Sequence, residues 1–265
     1  MSDAILFSVD EGLGRLTLNR PARLNAFNAE LAEAWRDATT EAAARDDVHA
    51  ILIDAAGPAF CAGGDVLDMA ATMSDGSEIA GLAGVINIGI RALTESAVPV
   101  VAAAHGTTAG GGLGILLCSD YAVVGGRSKL GSLYANIGLT PDLSVSAQLA
   151  AAVGQRRALQ LVLQDRLLSA EEAQDWGLIA EIVAGEDAGD EADRVRARAE
   201  EIARFWLAGA SGAYGQAKRL VRSRPERTFV DQVAEEARSI GAAFDTPEAQ
   251  ARIAAFAAAS AKKAR

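Results

Sequence analysis

Two glycine-rich loops are the segments in which this sequence most clearly offers a site for chemistry. Residues 60–65 (FCAGGD) and residues 109–114 (AGGGLG) each follow an apolar, β-prone run and precede a helical pattern. The second loop lacks the G-x-G-x-x-G spacing and the lysine of the common phosphate-binding loops. Either loop alone is explained more simply by tight packing of a helix on a strand. Together, after neighbouring parallel strands, they can direct backbone N–H groups at one point, which predicts an oxyanion hole.

The ionisable residues indicate that any acid-base chemistry falls to a carboxylate. The chain has 265 residues, with 35 Asp and Glu, 25 Lys and Arg, and two histidines, for a formal net charge of -10. His49 and His105 are far apart and not accompanied by clustered cysteines, so no metal site is predicted. The negative charge argues against nucleic acid or an anionic membrane surface as a partner.

The cysteines and the longest apolar stretch bear on the cellular compartment. Cys61 and Cys118 are too few for a disulfide framework and are expected to be free thiols of a reducing compartment. The first residues carry acids and no basic leader, so a cytoplasmic location is predicted. The longest uncharged stretch, residues 96–119, contains Pro99, His105 and five glycines, which favours a buried loop over a membrane span.

The elements that must position these loops alternate between strand and helix through the first 185 residues. This order predicts an α/β fold with parallel strands joined by crossover helices. Strands are predicted at 49–56, 98–104 and 121–124, with a glycine loop after each of the first two. Beyond residue 183 only helical patterns remain, at 194–207, 212–222, 225–244 and 247–259. Residues 1–194 are therefore predicted to form the core, and residues 195–265 a helical C-terminal subdomain.

Several segments resemble the crotonase superfamily, the enoyl-CoA hydratase/isomerase family, in their order and spacing. They are LNRPARLNAFN (18–28), AFCAGGDV (59–66), PVVAAAHGTTAGGGLGILLCSD (99–120), IGLTPD (137–142) and GQRRALQLVLQDRLLSAEEAQDWGLIAEIV (154–183). The resemblance implies a spiral of repeated ββα units and an acyl-CoA thioester as substrate. It also implies that no metal or redox cofactor is needed, and that the chain forms a homotrimer or a dimer of trimers through its C-terminal helices.

The resemblance also assigns expected roles to individual residues. The amides of Gly64 and Gly111 match the two donors that stabilise an enolate or related oxyanion in the family. Ala62 matches the backbone position that holds the adenine of CoA, and Arg23 is the candidate for its ribose phosphate. Asp65 is expected to orient the first loop, in part by capping the helix that follows.

Departures from the family pattern narrow the expected reaction. The two glutamates that hydratases use to activate water correspond to Gly114 and Tyr134, so hydration by that mechanism is not expected. Asp142 occupies a position at which the isomerase-like branches have a proton-transferring aspartate. In the 4-chlorobenzoyl-CoA dehalogenases an aspartate here is a nucleophile, but their catalytic histidine corresponds to Asn87. Tyr134 is expected to fill the acyl pocket or to hydrogen-bond the substrate.

Three roles for Asp142 therefore stay open. An isomerase-like proton shuttle is favoured; a covalent nucleophile and a simple helix cap are the alternatives. A different class of function, a non-catalytic acyl-CoA binding protein, also remains, because both hydratase glutamates are missing.

Overall fold

The computed structural model describes residues 2–164 and 166–263. Its strands are β1 (Ile5–Asp10), β2 (Leu13–Leu18), β3 (Ala50–Ala55), β4 (Val100–Ala104), β5 (Thr107–Ala109), β6 (Tyr121–Gly125), β7 (Lys129–Gly131), β8 (Leu167–Ser169) and β9 (Glu181–Val183). Its helices are α1 (Ala29–Ala44), α2 (Val66–Thr72), α3 (Gly76–Glu95), α4 (Gly111–Leu117), α5 (Val145–Gln164), α6 (Ala170–Asp175), α7 (Ala188–Ala208), α8 (Ser211–Arg222), α9 (Phe229–Phe244) and α10 (Pro247–Lys263).

Two sheets organise the chain. The larger has the order β1-β2-β3-β4-β6-β9, in which β1 and β2 form an antiparallel hairpin and all other neighbours are parallel. The smaller has the order β5-β7-β8, with β5 and β7 parallel. Every residue of β3 and β4 is buried, as expected for apolar strands covered on both faces. The predicted α/β class with parallel strands is confirmed.

Helices cover both faces of the larger sheet. On one face α1 and α3 pack together, with Trp35 fully buried and its indole N–H donating to the carbonyl of Ile86 (3.2 Å). On the other face α7 packs Val195, Ala199 and Ala203 against side chains of β2, β3, β4 and β6. Both faces of the strands that lead into the glycine loops are therefore held by apolar packing.

The boundaries of two predicted helices are corrected. The helix expected from residue 194 begins at Ala188, because Asp187 caps it by accepting hydrogen bonds from the amides of Gly189 (2.8 Å) and Asp190 (3.0 Å). Residue 194 thus lies inside α7, and the division of the chain there stays a prediction. The helix expected over 225–244 begins only at Phe229, because Thr228 caps it and residues 224–226 form a separate 3₁₀ turn.

The C-terminal helices extend from the core. Helix α8 is fastened by Lys218, whose buried ammonium donates to the carbonyls of Leu93 (2.6 Å) and Val98 (2.7 Å) and pairs with Asp120 (3.1 Å). The two cysteines are free and buried, as predicted. Within residues 2–164 and 166–263, no helix combines the length and the apolar character that crossing a membrane requires.

Candidate active site

The two glycine loops lie side by side. The amide of Cys61 donates to the carbonyl of Thr107 (3.1 Å), and the amide of Ala109 donates to the carbonyl of Cys61 (3.0 Å), so the segments pair like parallel strands. Gly63 has φ +106°, and a Cβ there would lie 2.9 Å from the carbonyl oxygen of Ala109. Glycine is required at this position both by the backbone conformation and by the closeness of the second loop.

The second loop also has no space for a side chain at Gly112. A Cβ on Gly112 would overlap the carbonyl oxygen of Cys61 and lie 2.8 Å from its carbonyl carbon. Both atoms belong to backbone that is hydrogen-bonded on either side, so neither can move aside cheaply.

Gly112→Ala is therefore expected to lower the free energy of unfolding by about 3 kcal/mol, the upper part of the range for overpacking. Urea denaturation measures this change. The matched control is Gly81→Ala in α3, where an added Cβ meets nothing within 4 Å. That control is expected to gain up to about 1 kcal/mol from helix propensity. Equal stability of Gly112→Ala and the wild type would contradict the close contact of the loops.

The amides of Gly64 and Gly111 are available to a ligand. Within the described part of the chain, neither N–H donates a hydrogen bond to another residue. Both glycines line the same cavity, which has a volume of about 270 Å³. Two unpaired backbone donors on residues that line one largely apolar cavity can stabilise negative charge on a bound oxygen atom.

Apolar side chains form most of the cavity wall. Val66 and Met69 contribute from α2, and Ile79, Leu82 and Ile86 from α3. Residues of the segment 132–143, which follows β7, and of the two glycine loops complete most of the wall. Among the residues that line the cavity, Asp142 carries the one carboxylate.

Tyr134 and Asp142 form a direct hydrogen bond inside this cavity. The Tyr134 hydroxyl donates to Oδ1 of Asp142 over 2.5 Å. Burial raises the pKa of Asp142, while the hydrogen bond from Tyr134 acts in the opposite direction by favouring the carboxylate. Burial and the neighbouring Asp142 charge raise the pKa of Tyr134, so the phenol stays a neutral donor. Asp142 is therefore a half-buried carboxylate with one fixed partner, a type of environment common at catalytic positions.

The sequence did not predict the contact between these two side chains. A 3₁₀ turn over Ala135–Ile137 and the left-handed Gly138 reverse the chain between them, and the amide of Leu139 donates to the carbonyl of Tyr134 (3.1 Å). The glycine at 138 was the available signal for this turn. Within the described residues the Asp142 carboxylate accepts no hydrogen bond from an amide of α5, so its side chain does not cap that helix.

The two residues that follow Asp142 have a backbone conformation that is unusual for their residue types. Leu143 and Ser144 have φ values of 46° and 65°, in the left-handed region that costs an L-residue about 1–2 kcal/mol. This places the carbonyl oxygen of Leu143 where a Cβ of Gly114 would stand. Gly114, which the resemblance matches to a hydratase glutamate, therefore has no space for any side chain.

Asp65 and Arg23 are paired with each other. The guanidinium of Arg23 lies 2.5 Å from Oδ1 of Asp65, and Arg20 approaches the same carboxylate at 3.3 Å. The hydrogen bond from Arg23 is the main reason that the pKa of Asp65 is lowered to about 2. Asp65 also accepts from the amide of Asp68 (3.2 Å), which confirms the predicted cap of α2.

Two further residues that the sequence singled out, Ala62 and Asn87, differ in whether they line the cavity. Ala62 lines the cavity, and its amide donates to the carbonyl of Leu24 (3.0 Å). Asn25, which the sequence did not single out, supports the first loop by donating to the carbonyls of Ala56 (2.9 Å) and Ala59 (2.8 Å). Asn87 lies on α3 and is not among the residues that line the cavity. No group of three or more His, Cys, Asp or Glu residues in the described ranges is arranged to hold a metal ion.

Comparisons with known proteins agree on one family. The family described as enoyl-CoA hydratase/isomerase matches residues 8–262. The 1,2-epoxyphenylacetyl-CoA isomerase of Escherichia coli is 30% identical over 235 residues, covering 88% of this chain and 87% of that protein. A 4-chlorobenzoyl coenzyme A dehalogenase of Arthrobacter is 30% identical over 255 residues, covering 93% and 87%.

Solved structures agree with the sequence relatives. A putative enoyl-CoA hydratase from Streptomyces coelicolor superposes with a TM-score of 0.88 at 27% identity, covering 96% of this chain and 91% of that one. A putative enoyl-CoA hydratase/isomerase from Mycobacterium abscessus superposes with a TM-score of 0.86 at 29% identity, covering 96% of each chain. The similarity therefore extends over nearly the whole fold.

Proposed function

The chain belongs to the enoyl-CoA hydratase/isomerase family, whose fold is the crotonase fold, and from this premise we propose that it is an enoyl-CoA isomerase whose base is Asp142. The observation that carries the proposal is the content of the cavity. One carboxylate lines a largely apolar space that is also lined by Gly64 and Gly111, whose amides have no partner among the described residues. One base and two oxyanion donors suffice to move a double bond along an acyl thioester.

In the proposed reaction the thioester carbonyl oxygen accepts hydrogen bonds from the amides of Gly64 and Gly111. The Asp142 carboxylate removes a proton from the α carbon of a 3-enoyl-CoA, and the C–H electron pair moves toward the carbonyl to form a dienolate. The negative charge then rests on the oxygen between the two amides. Asp142 returns the same proton to the γ carbon, which yields the 2-enoyl-CoA and restores the carboxylate. No water, metal or redox cofactor enters this balance.

Hydration is less well supported than proton transfer. The two-glutamate mechanism needs a carboxylate at each of two positions, and the chain has Gly114 and Tyr134 there. The carbonyl of Leu143 occupies the space beside Gly114. Relatives named as hydratases share the fold with this chain, and the side chains in its cavity favour the isomerase reaction.

The CoA portion of the substrate is proposed to bind along the first loop. Ala62 lines the cavity, and the resemblance matches it to the backbone position that holds the adenine. Arg23 is 42% exposed, so its guanidinium is accessible to a phosphate while Asp65 holds it in place. Asp65 thereby acts on the substrate only through Arg23 and the loop.

Tyr134→Phe tests the base through the pH dependence of the reaction. The hydroxyl favours the ionised form of Asp142, so its removal is expected to raise the pKa of Asp142 further. Because the base must be ionised, the acidic limb of kcat/KM should move to higher pH in the variant. The matched control is Tyr121→Phe, which removes a hydroxyl that donates to Glu181 on the larger sheet. A limb that stays in place, or moves to lower pH, would argue against Asp142 as the titrating base.

A dehalogenase-like role for Asp142 is the second candidate, favoured by the similarity to the 4-chlorobenzoyl coenzyme A dehalogenase. The carboxylate would attack the halogen-bearing ring carbon and form an aryl ester as halide leaves, and water would then hydrolyse that ester. The resemblance matches the histidine that would activate this water to Asn87, which is not among the residues that line the cavity.

Incubation with 2-enoyl, 3-enoyl and halobenzoyl CoA esters in deuterated water distinguishes the candidates. The isomerase proposal expects double-bond migration with a 3-enoyl ester. Release of halide and a mass increase on the peptide containing Asp142 would instead indicate the nucleophile. Tight binding of the esters with neither reaction nor deuterium uptake would indicate a non-catalytic binding protein.

The assembly is proposed to be a homotrimer or a dimer of trimers. Large apolar side chains on α9 and α10 are left uncovered in the single chain, with Phe229 72%, Ile240 73% and Phe256 76% exposed. Exposed apolar residues on adjacent helices are typical of surfaces that associate. Analytical ultracentrifugation should give the mass of three or six chains; a monomer would overturn the assembly.

A further inference from the structure

Leu143 occupies an unusual place in the cavity wall. It directly follows Asp142, it is 4% exposed, and its φ of 46° lies in the left-handed region. Glycine adopts this conformation without steric cost, whereas leucine does not. What leucine adds over glycine at this position is an isobutyl group that projects into the site.

The isobutyl group lies beside Gly111, near the Tyr134 hydroxyl. If Gly111 carried a Cβ, its nearest neighbours would be Cδ1 of Leu143 at 2.6 Å and, farther away, the hydroxyl of Tyr134 at 3.8 Å. That hydroxyl lies 2.5 Å from Oδ1 of Asp142. The Leu143 side chain, the Gly111 backbone and the pair of Tyr134 and Asp142 therefore surround one small space.

Whether water occupies this space determines whether a proton on Asp142 can exchange with solvent. A protonated carboxyl group exchanges its proton with solvent only when water reaches it. The backbone of Leu143 fills the space beside Gly114, and its side chain covers the space beside Gly111. The side chain takes up volume that water would fill if residue 143 were glycine.

We propose that Leu143 excludes water from the space between Asp142 and Gly111, so that the proton taken by Asp142 returns to the acyl chain before it exchanges with solvent. Leu143 is thus a specificity-determining residue that favours intramolecular proton transfer. The proposal rests on the proposed isomerase function and adds to it the fate of the transferred proton.

The test measures deuterium in the product of a 3-enoyl-CoA ester after reaction in deuterated water at early conversion. The wild type is expected to return mostly the original proton. Leu143→Gly, which fits the left-handed backbone, is expected to raise the deuterium content per turnover by roughly three-fold or more. Leu143→Ala is a second variant that keeps the test usable if the glycine variant folds poorly. Leu82→Ala is the matched control, since Leu82 lines the same cavity from α3 and is not among the atoms nearest to Gly111 or Gly114.

The possible outcomes separate the two proposals. Higher deuterium content in both Leu143 variants, with Leu82→Ala at the wild-type fraction whatever its rate, supports the role of Leu143. Double-bond migration with the same deuterium fraction in the wild type and the Leu143 variants overturns that role and leaves the isomerase function intact. An equal increase in Leu82→Ala also overturns it. Absence of migration by the wild type overturns the isomerase function and, with it, the inference.

Discussion

Asp142→Asn is expected to lower kcat for double-bond migration by about 10²–10⁴-fold, the range for loss of a positioned general base. The amide is nearly isosteric with the carboxylate, and its oxygen can still accept the hydrogen bond from Tyr134. The cavity should therefore keep its shape, while the side chain loses its ability to take a proton. Steady-state assays with a 3-enoyl-CoA, together with the dissociation constant of the ester, measure the effect on chemistry and on binding separately.

A surface acid is the control for this change. Asp46→Asn removes one carboxylate from an exposed position that does not line the cavity, and it should retain wild-type kcat and KM. Full activity of Asp142→Asn would remove the proposed base. Loss of ester binding in parallel with the loss of rate would show that the residue supports the pocket rather than the reaction.

Gly111→Pro is expected to lower kcat by about 10²–10³-fold, which is the usual cost of losing one oxyanion donor. Proline has no N–H, so this substitution removes one of the two proposed donors. Gly111 is the first residue of α4, a position at which proline is well accommodated because no hydrogen bond within the helix is lost. KM should change little, since the donor acts mainly on the charge that develops in the transition state.

Gly111→Ala separates the missing amide from the added side chain. Both substitutions introduce a Cβ close to Cδ1 of Leu143, which is the end of a flexible side chain. Alanine keeps the N–H, so its loss of rate should be small relative to that of proline. Equal losses in the two variants would show that crowding, and not the missing donor, impairs the enzyme. Circular dichroism checks that both variants remain folded.

Local signals in the sequence predicted several features that the structure confirms. Asn28 directly precedes the helical pattern and is of a residue type that favours helix caps, and its side chain accepts from the amide of Leu31 (3.0 Å). The glycine loops were predicted to follow buried strands and to meet, and the hydrogen bonds between Cys61 and the segment from Thr107 bring them together. Capping and glycine positions depend on neighbouring residues and on backbone conformation, so they are readable without tertiary contacts.

Other features depend on contacts between distant segments and were not predictable in the same way. The pairing of Arg23 with Asp65 joins the start of the chain to the first glycine loop. The early start of α7 depends on a cap at Asp187 inside a stretch that resembles a surface connection. Charged and polar residues of this kind are compatible with many local structures, and their partners are selected when the chain packs.

By itself, the sequence determined the order of strands and helices, the positions at which glycine lets backbone approach backbone, and the absence of the two hydratase glutamates. It also identified Asp142 as the candidate base. Only the tertiary structure decided that Tyr134 donates to Asp142 and that Gly64, Gly111 and Leu143 line one cavity. The physical reason is that these contacts follow from loop dihedral angles and from packing between segments, such as the left-handed backbone at Leu143, which no local preference of leucine predicts.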